Sequence, residues 1–249
     1  MTGSTPRVAI VTGGTRGLGA AVATRLNAQG VRVVAVYRSD DEAAAKLQHG
    51  VETPALLDVR RADVSDPEAC TALSGSVFTR YGRIDHLVNN AGSLDERLVA
   101  EITPDGWERS LRANLSTAFH MTQAVLEPMR RQRFGRIVNV SSVTAVMGSA
   151  FQLHYAAAKS GLIGLTRSLA RATARRGITV NCVLPGGFET EMLDQMSLTD
   201  RAQVENLIPV GRFGHPDELA HVVAALLHDD ASYVTGAVIP IDGGLGMGA

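Results

Sequence analysis

Val8-Ala9-Ile10-Val11-Thr12-Gly13-Gly14-Thr15-Arg16-Gly17-Leu18-Gly19 reads as a short buried strand, a glycine turn and the start of an amphipathic helix. Gly13, Gly17 and Gly19 let backbone N–H groups approach a ligand unobstructed, and the helix dipole adds positive charge at the same point. A pyrophosphate fits such a turn. So does a plain strand-to-helix connection, because the spacing is not the commoner G-x-G-x-x-G. Working outward, β-branched runs of strand length recur at Val8 to Val11, Val31 to Val36, His86 to Val88, Gly135 to Val140, Ile178 to Val183 and Val238 to Ile241. Helix-like stretches alternate with them: Leu18 to Ala28, Pro67 to Tyr81, Trp107 to Arg131, Tyr155 to Arg176 and Asp217 to Leu227. This alternation predicts repeated βαβ units, hence an α/β fold around a buried parallel sheet. No repeat, low-complexity tract or linker divides the chain, so one domain over 1–249 is expected. The least regular stretch, 188–216, follows a late strand and is the candidate lid over the carboxyl edge of the sheet, where ligands bind in such folds.

Composition narrows the partners. The 249 residues carry 24 Lys plus Arg against 25 Asp plus Glu, a net charge of −1, which offers no broad footprint for nucleic acid or anionic lipid. Twenty-five glycines with 4% aromatics suit close backbone approach better than base stacking. Only Lys46 and Lys159 are lysines, so arginine is the default cation. Cys70 and Cys182 lack metal-ligand spacing or a disulfide framework, no signal pattern opens the chain and no apolar run reaches spanning length. A cytoplasmic protein without a metal is the expectation.

At the end of the second strand, Tyr37-Arg38-Ser39 occupies the position from which a side chain reaches an adenosine ribose. An acid there would accept from the free hydroxyls of NAD. This chain has Arg38 instead, with Arg16 projecting from the glycine turn, and two guanidiniums can pair with the 2′-phosphate of NADP(H). Both arginines also suit a solvated surface. Asp63-Val64, after the next strand, meets the adenine edge, or Asp63 caps a helix beside Asp66 and Pro67.

Further on, Asn89-Asn90-Ala91-Gly92 ends a strand with small and amide residues beside which a flat ring can lie. The run Arg136 to Val140 delivers Ser141 and Ser142, and Tyr155 and Lys159 stand four apart on one helix face. Ketone reduction needs an acid beside the carbonyl oxygen. A free tyrosine titrates near pH ~10, and an adjacent ammonium brings it down, so Tyr155 with Lys159 is a workable acid and base. Ser142 is placed to donate to the substrate oxygen.

Thr12-Gly13-x-x-x-Gly17-x-Gly19, Asn89-Asn90-Ala91-Gly92, Asn114, Ser142, Tyr155-x-x-x-Lys159, Pro185-Gly186-x-x-x-Thr190 and Asp242-Gly243-Gly244, in this order, resemble the short-chain dehydrogenase/reductase family from Val8 to Gly244. The resemblance implies a single-domain Rossmann-type doubly wound parallel sheet of about seven strands with helices on both faces. It also implies hydride transfer between a nicotinamide cofactor and a carbonyl or alcohol, in a tetramer or dimer. By the same resemblance, Asn114 holds a water that links Lys159 to solvent, or is an amide fixing local packing. Lys159 bonds the nicotinamide ribose, and Thr190 with the backbone around Phe188 holds the carboxamide. The cofactor residues are then Gly13, Thr15, Arg16, Gly17, Leu18, Gly19, Tyr37, Arg38, Ser39, Asp63, Val64, Asn90, Ala91, Gly92, Tyr155, Lys159, Pro185, Gly186, Phe188 and Thr190.

Within the family, Tyr155 to Gly164, Gly177 to Asn181 and Tyr233 to Gly244 are most similar to bacterial β-ketoacyl carrier protein reductases and polyketide ketoreductases. An NADPH-dependent 3-oxoacyl-type reductase working as a homotetramer is therefore expected. Arg133 and Arg176 match positions facing an acidic acyl carrier protein, or are solvated surface. Ser93-Leu94-Asp95-Glu96-Arg97 departs from the threonine, arginine, aspartate run of the fatty-acid enzymes, which leaves secondary-metabolism ketoreductases and free small-molecule dehydrogenases open. A silent NADP(H)-binding sensor is the other class, and the intact Ser142, Tyr155 and Lys159 argue against it. His154 either touches substrate or packs, Trp107 reads as a packing anchor, and Met192, Leu193, Met196 and Leu198 line an acyl pocket or form the inner face of the lid.

Overall fold

A computed structural model describes residues 5–191, 193 and 197–248. Seven parallel strands, β1 (Val8–Thr12), β2 (Arg32–Tyr37), β3 (Leu57–Arg61), β4 (His86–Asn89), β5 (Gly135–Val140), β6 (Ile178–Pro185) and β7 (Val238–Ile241), form one sheet in the order β3-β2-β1-β4-β5-β6-β7. The order reverses between β1 and β4, which opens a crevice at their carboxyl ends.

Alternation along the strands feeds two cores. Ala9 and Val11, with Val33, Ala35, Val138 and Val183, face α1 (Gly17–Ala28), α2 (Asp41–Gly50) and α9 (Pro216–Leu227). Val8 and Ile10, with Val34, Val36, Leu87, Ile137 and Val180, face α3 (Pro67–Tyr81), α5 (Thr117–Gln132) and the end of α7 (Leu153–Thr173). Both faces are covered, so the strands read as continuous apolar runs.

Side-chain caps fix most helix starts. Asp40 accepts from the Ala43 N–H at α2, Asp66 from Glu68 at α3, and Thr103 from Gly106 at α4 (Pro104–Leu111). The expected helix from Trp107 thus starts at Pro104, and a π-helical turn at Arg112–Ser116 divides it before α5. The expected helix from Tyr155 begins at Leu153 and gives way to a 3-10 turn over Ala174–Arg176. Strand β3 carries Asp58, Arg60 and Arg61 at the edge of the sheet, which blurs its apolar signature.

Its own contacts organise the described residues of the 188–216 segment. Phe188 pairs with Gly214, α8 (Leu198–Leu207) crosses the segment, and Leu193, Ile208 and Phe213 form a small core with Val204 and Leu245. The expectations placed on Met192 and Met196, and on the Leu198 side chain, fall outside the described residues. Among the described residues, no helix is long and apolar enough to cross a membrane. Cys70 and Cys182 are buried and free.

Candidate active site

Gly17 adopts φ +51, the left-handed region that side chains other than glycine's rarely enter, and it opens α1. Unlike its neighbours, α1 has no side-chain cap and no acid in its first turn, so its N-terminal N–H groups are left for an anion. The turn is pinned from β4. Thr12 Oγ1 accepts from the N–H groups of Asn90 and Ala91, both at 3.0 Å. Asn90 Nδ2 donates back to the carbonyls of Thr12 (3.1 Å) and Gly13 (3.0 Å). Asn90 is therefore committed to the turn, and Thr12, which the motif includes without a role, is its buried partner. A cleft of about 430 Å³ runs past Gly17, Glu189, Thr190, Glu191, Leu193 and Arg201. It brings the expected carboxamide residue Thr190 to the glycine turn. Phe188 and Leu193 bury their side chains in neighbouring cores, so Phe188 offers only backbone here and Leu193 lies on the inside of the segment. A nicotinamide dinucleotide fits this uncapped helix start and its cleft.

Ser142, Tyr155, Lys159 and Asn114 converge at the ends of β5 and α7. Lys159 is 4% exposed, with Nζ donating to the Val140 carbonyl at 2.9 Å and standing 5.5 Å from the centre of the Tyr155 ring. Burial drives the lysine down to about 8. Tyr155 is pushed above its ordinary value by burial, while the nearby Ser142 hydroxyl pulls the other way. The expected lowering of Tyr155 by the ammonium is absent from the protein's own groups, because Nζ is held by Val140 rather than by the phenol. Ser142 Oγ accepts from the Thr144 N–H (3.2 Å) and the Thr144 hydroxyl (2.9 Å). Those two bonds occupy its lone pairs and leave its own proton for Tyr155 or a substrate oxygen. Ser141 Oγ donates to the Lys159 carbonyl at 2.8 Å, fastening α7 to β5.

Asn114 sits 1% exposed in the π-helical turn. Its Nδ2 donates to the carbonyls of Ser93 and Ser110, and Oδ1 accepts from the Ser93 N–H. One Oδ1 lone pair remains. A Cβ placed on Gly92 would stand 2.6 Å from that oxygen and 3.5 Å from Lys159 Nζ, so both flank the space the glycine leaves.

Where the adenosine is expected, Arg16, Arg38, Ser39 and Asp63 are exposed. Tyr37 Oη donates to Asp41 Oδ1 at 2.9 Å. Asp63 does not cap α3, which Asp66 does; it accepts from the Ser65 N–H and is held below the usual carboxylate range chiefly by that bond. Val64 is buried in the α3 core, so only its backbone can face a ligand. Thr15 is buried and Leu18 packs on the α1 core. Pro185 ends β6, with its carbonyl taken by Val143, and Gly186 lies against Asp242. His154 is 1% exposed, with Nδ1 unpartnered. Trp107 is half-buried at the start of α4. Arg133 and Arg176 are exposed but lie just before β5 and β6, at the amino edge. The six residues of β5 put them about 20 Å from this chain's own tyrosine edge.

Comparison with known proteins gives this arrangement its family. A family model described as enoyl-(acyl carrier protein) reductase matches residues 13–246. The chain is 42% identical to an acetoacetyl-CoA reductase of Shinella zoogloeoides over 241 residues, 96% of this chain and 98% of the relative. The chain belongs to the short-chain dehydrogenase/reductase family. It is also 41% identical to an acetoacetyl-CoA reductase of Rhizobium meliloti, across 96% of this chain and 98% of the relative. Identity to the 3-oxoacyl-(acyl-carrier-protein) reductase FabG of Escherichia coli is 38% across 97% and 98%. As a short-chain dehydrogenase/reductase of the ketoreductase type, it is an oxidoreductase that interconverts carbonyl and alcohol with a nicotinamide cofactor.

Proposed function

We propose that the chain is an NADPH-dependent reductase of 3-oxoacyl thioesters, with Tyr155 as the general acid. The observation that carries the reading is the meeting of Tyr155 with a buried Lys159, whose Nζ stands 5.5 Å from the centre of the tyrosine ring, in reach of the Ser142 hydroxyl. A substrate carbonyl oxygen set between Ser142 and Tyr155 meets two O–H donors. Tyr155 gives up its proton as the oxygen becomes an alkoxide, and Ser142 stabilises that charge, an effect typically worth roughly 3 kcal/mol. The nicotinamide, when bound, supplies the hydride. Lys159 stabilises the resulting phenolate and returns a proton to it, and the free lone pair of Asn114 Oδ1 holds the water that reloads the lysine. Arg16 and Arg38 would take the 2′-phosphate, Thr190 and the Phe188 backbone the carboxamide, and 188–216 the role of a lid within one catalytic domain.

Exposed Phe119, Met147, Phe151 and Leu153 on and around α5 to α7, with fully exposed Tyr233 next to β7, favour a homotetramer. In such an assembly an acyl carrier protein seated on Arg133 and Arg176 would serve a neighbouring subunit, because those arginines are remote from their own tyrosine. The test is NADPH oxidation with acetoacetyl-CoA, carrier-linked acetoacetyl groups, simple β-ketoesters, diketones and quinones. Turnover should be fastest with the thioesters. Tight NADPH binding without turnover of any of them would overturn the reading in favour of a sensor.

A further inference from the structure

We infer that Arg61, at the end of β3, is a third determinant of the preference for a 2′-phosphorylated nucleotide; this rests on the NADPH reading above. Arg61 pairs across the strands with Tyr37, and its Nε donates to the Arg38 carbonyl at 3.0 Å. That bond joins the β3 end to the backbone of the residue assigned to the phosphate and leaves both Nη groups free. The adjacent Arg60 shows the contrast: it points to the other face and is spent on Asp58 and Ser76. Among the described residues, Arg16, Arg38 and Arg61 enter no ion pair.

The carboxylates of the neighbouring loops have other hydrogen-bond partners, although the Arg38 charge is felt at Asp63. Asp40 caps α2 through the Ala43 N–H, Asp41 accepts the Tyr37 hydroxyl, and Asp63 accepts the Ser65 N–H. Three unpaired guanidiniums at the carboxyl ends of three adjacent strands make a phosphate dianion the fitting occupant, with Arg61 both adding charge and holding Arg38 in place.

The experiment is titration of the full-length protein with 2′,5′-ADP and with 5′-AMP by calorimetry, for wild type, Arg38→Gln and Arg61→Gln. Wild type should bind 2′,5′-ADP more tightly. Arg61→Gln should weaken 2′,5′-ADP about five-fold, as for the loss of one exposed ionic contact, and leave 5′-AMP unchanged. An unchanged melting temperature checks that the exposed substitution leaves the fold intact. If wild type binds the two ligands alike, the NADPH reading itself falls. If Arg38→Gln loses the discrimination while Arg61→Gln keeps it, or weakens both ligands equally, the role of Arg61 is overturned and the NADPH reading stands.

Discussion

Asp85 and Lys159 are both buried charges, and what surrounds each separates the two edges of the sheet. Asp85, fully buried at the amino edge, meets Arg7 at 3.2 Å, Arg83 at 2.7 Å and the Val8 N–H at 2.8 Å. Burial pushes its carboxyl up, but these donors outweigh it and hold the group below the usual range. Arg7 also reaches Asp229, and both Arg7 and Arg136 lie over the Phe134 ring. Lys159, at the carboxyl edge, has one backbone carbonyl and no carboxylate partner among the described residues, so its charge is easily given up. The same strands therefore end in a compensated network that holds them together and in under-compensated groups whose protonation can change during turnover.

Substitutions at the two edges should come apart in the same way. Tyr155→Phe should cut turnover roughly 100- to 10,000-fold, the usual worth of a positioned acid, while melting temperature and NADPH affinity stay as in wild type. Asp85→Ala should do the reverse. Removing one partner of a buried ionic network costs about 3–5 kcal/mol, read by urea unfolding, with kcat per folded molecule unchanged; a lowered kcat in the folded fraction would blur the separation.

His86, beside Asp85, gives a pH test. Burial lowers it to about 4, helped by Arg7 and Arg136 and opposed by Asp85 and Asp229. Its folded pKa lies below the ordinary 6.5, so the unfolded chain binds the extra proton first. The stability it contributes is complete above about pH 6.5 and is lost as pH falls through about 4. His86→Phe should flatten the fall in urea midpoint between about pH 7 and pH 5 relative to wild type. The smallest effect belongs to Thr144→Val, which removes one bond to Ser142. It should lower kcat roughly five-fold, the worth of about 1 kcal/mol, leave NADPH affinity alone, and be rescued by Thr144→Ser.

The contrast between the edges also explains what the sequence could reveal. Glycines 13, 17 and 19 and the Tyr155–Lys159 spacing are local patterns, and the β-branched runs mark the buried strands through their length and composition. Ser141 on the Lys159 carbonyl and Thr12 on Asn90 carry no such mark, because each depends on which segments meet in space, and Thr144 on Ser142 depends on the turn that its loop adopts. The electrostatics of the tyrosine are not legible in the sequence for the same reason. Helical spacing puts the ammonium near the ring, but only the fold reveals that Val140 holds it and that burial dominates. Nor does a motif reveal which end of a strand it lies on: only the fold places Arg133 and Arg176 at the amino edge of the sheet.

The central claim is that hydride goes to a carbonyl carbon whose oxygen Tyr155 protonates. NADPH carrying transferable deuterium on the nicotinamide ring, incubated with the protein and acetoacetyl-CoA, tests it by mass spectrometry of the product. One deuterium is expected on the new carbinol carbon, with its transfer by the Tyr155→Phe protein slowed roughly 100- to 10,000-fold. Failure to label that carbon, with deuterium passing instead to the double bond of a crotonyl thioester supplied in parallel, would contradict it and assign the chain to enoyl reduction.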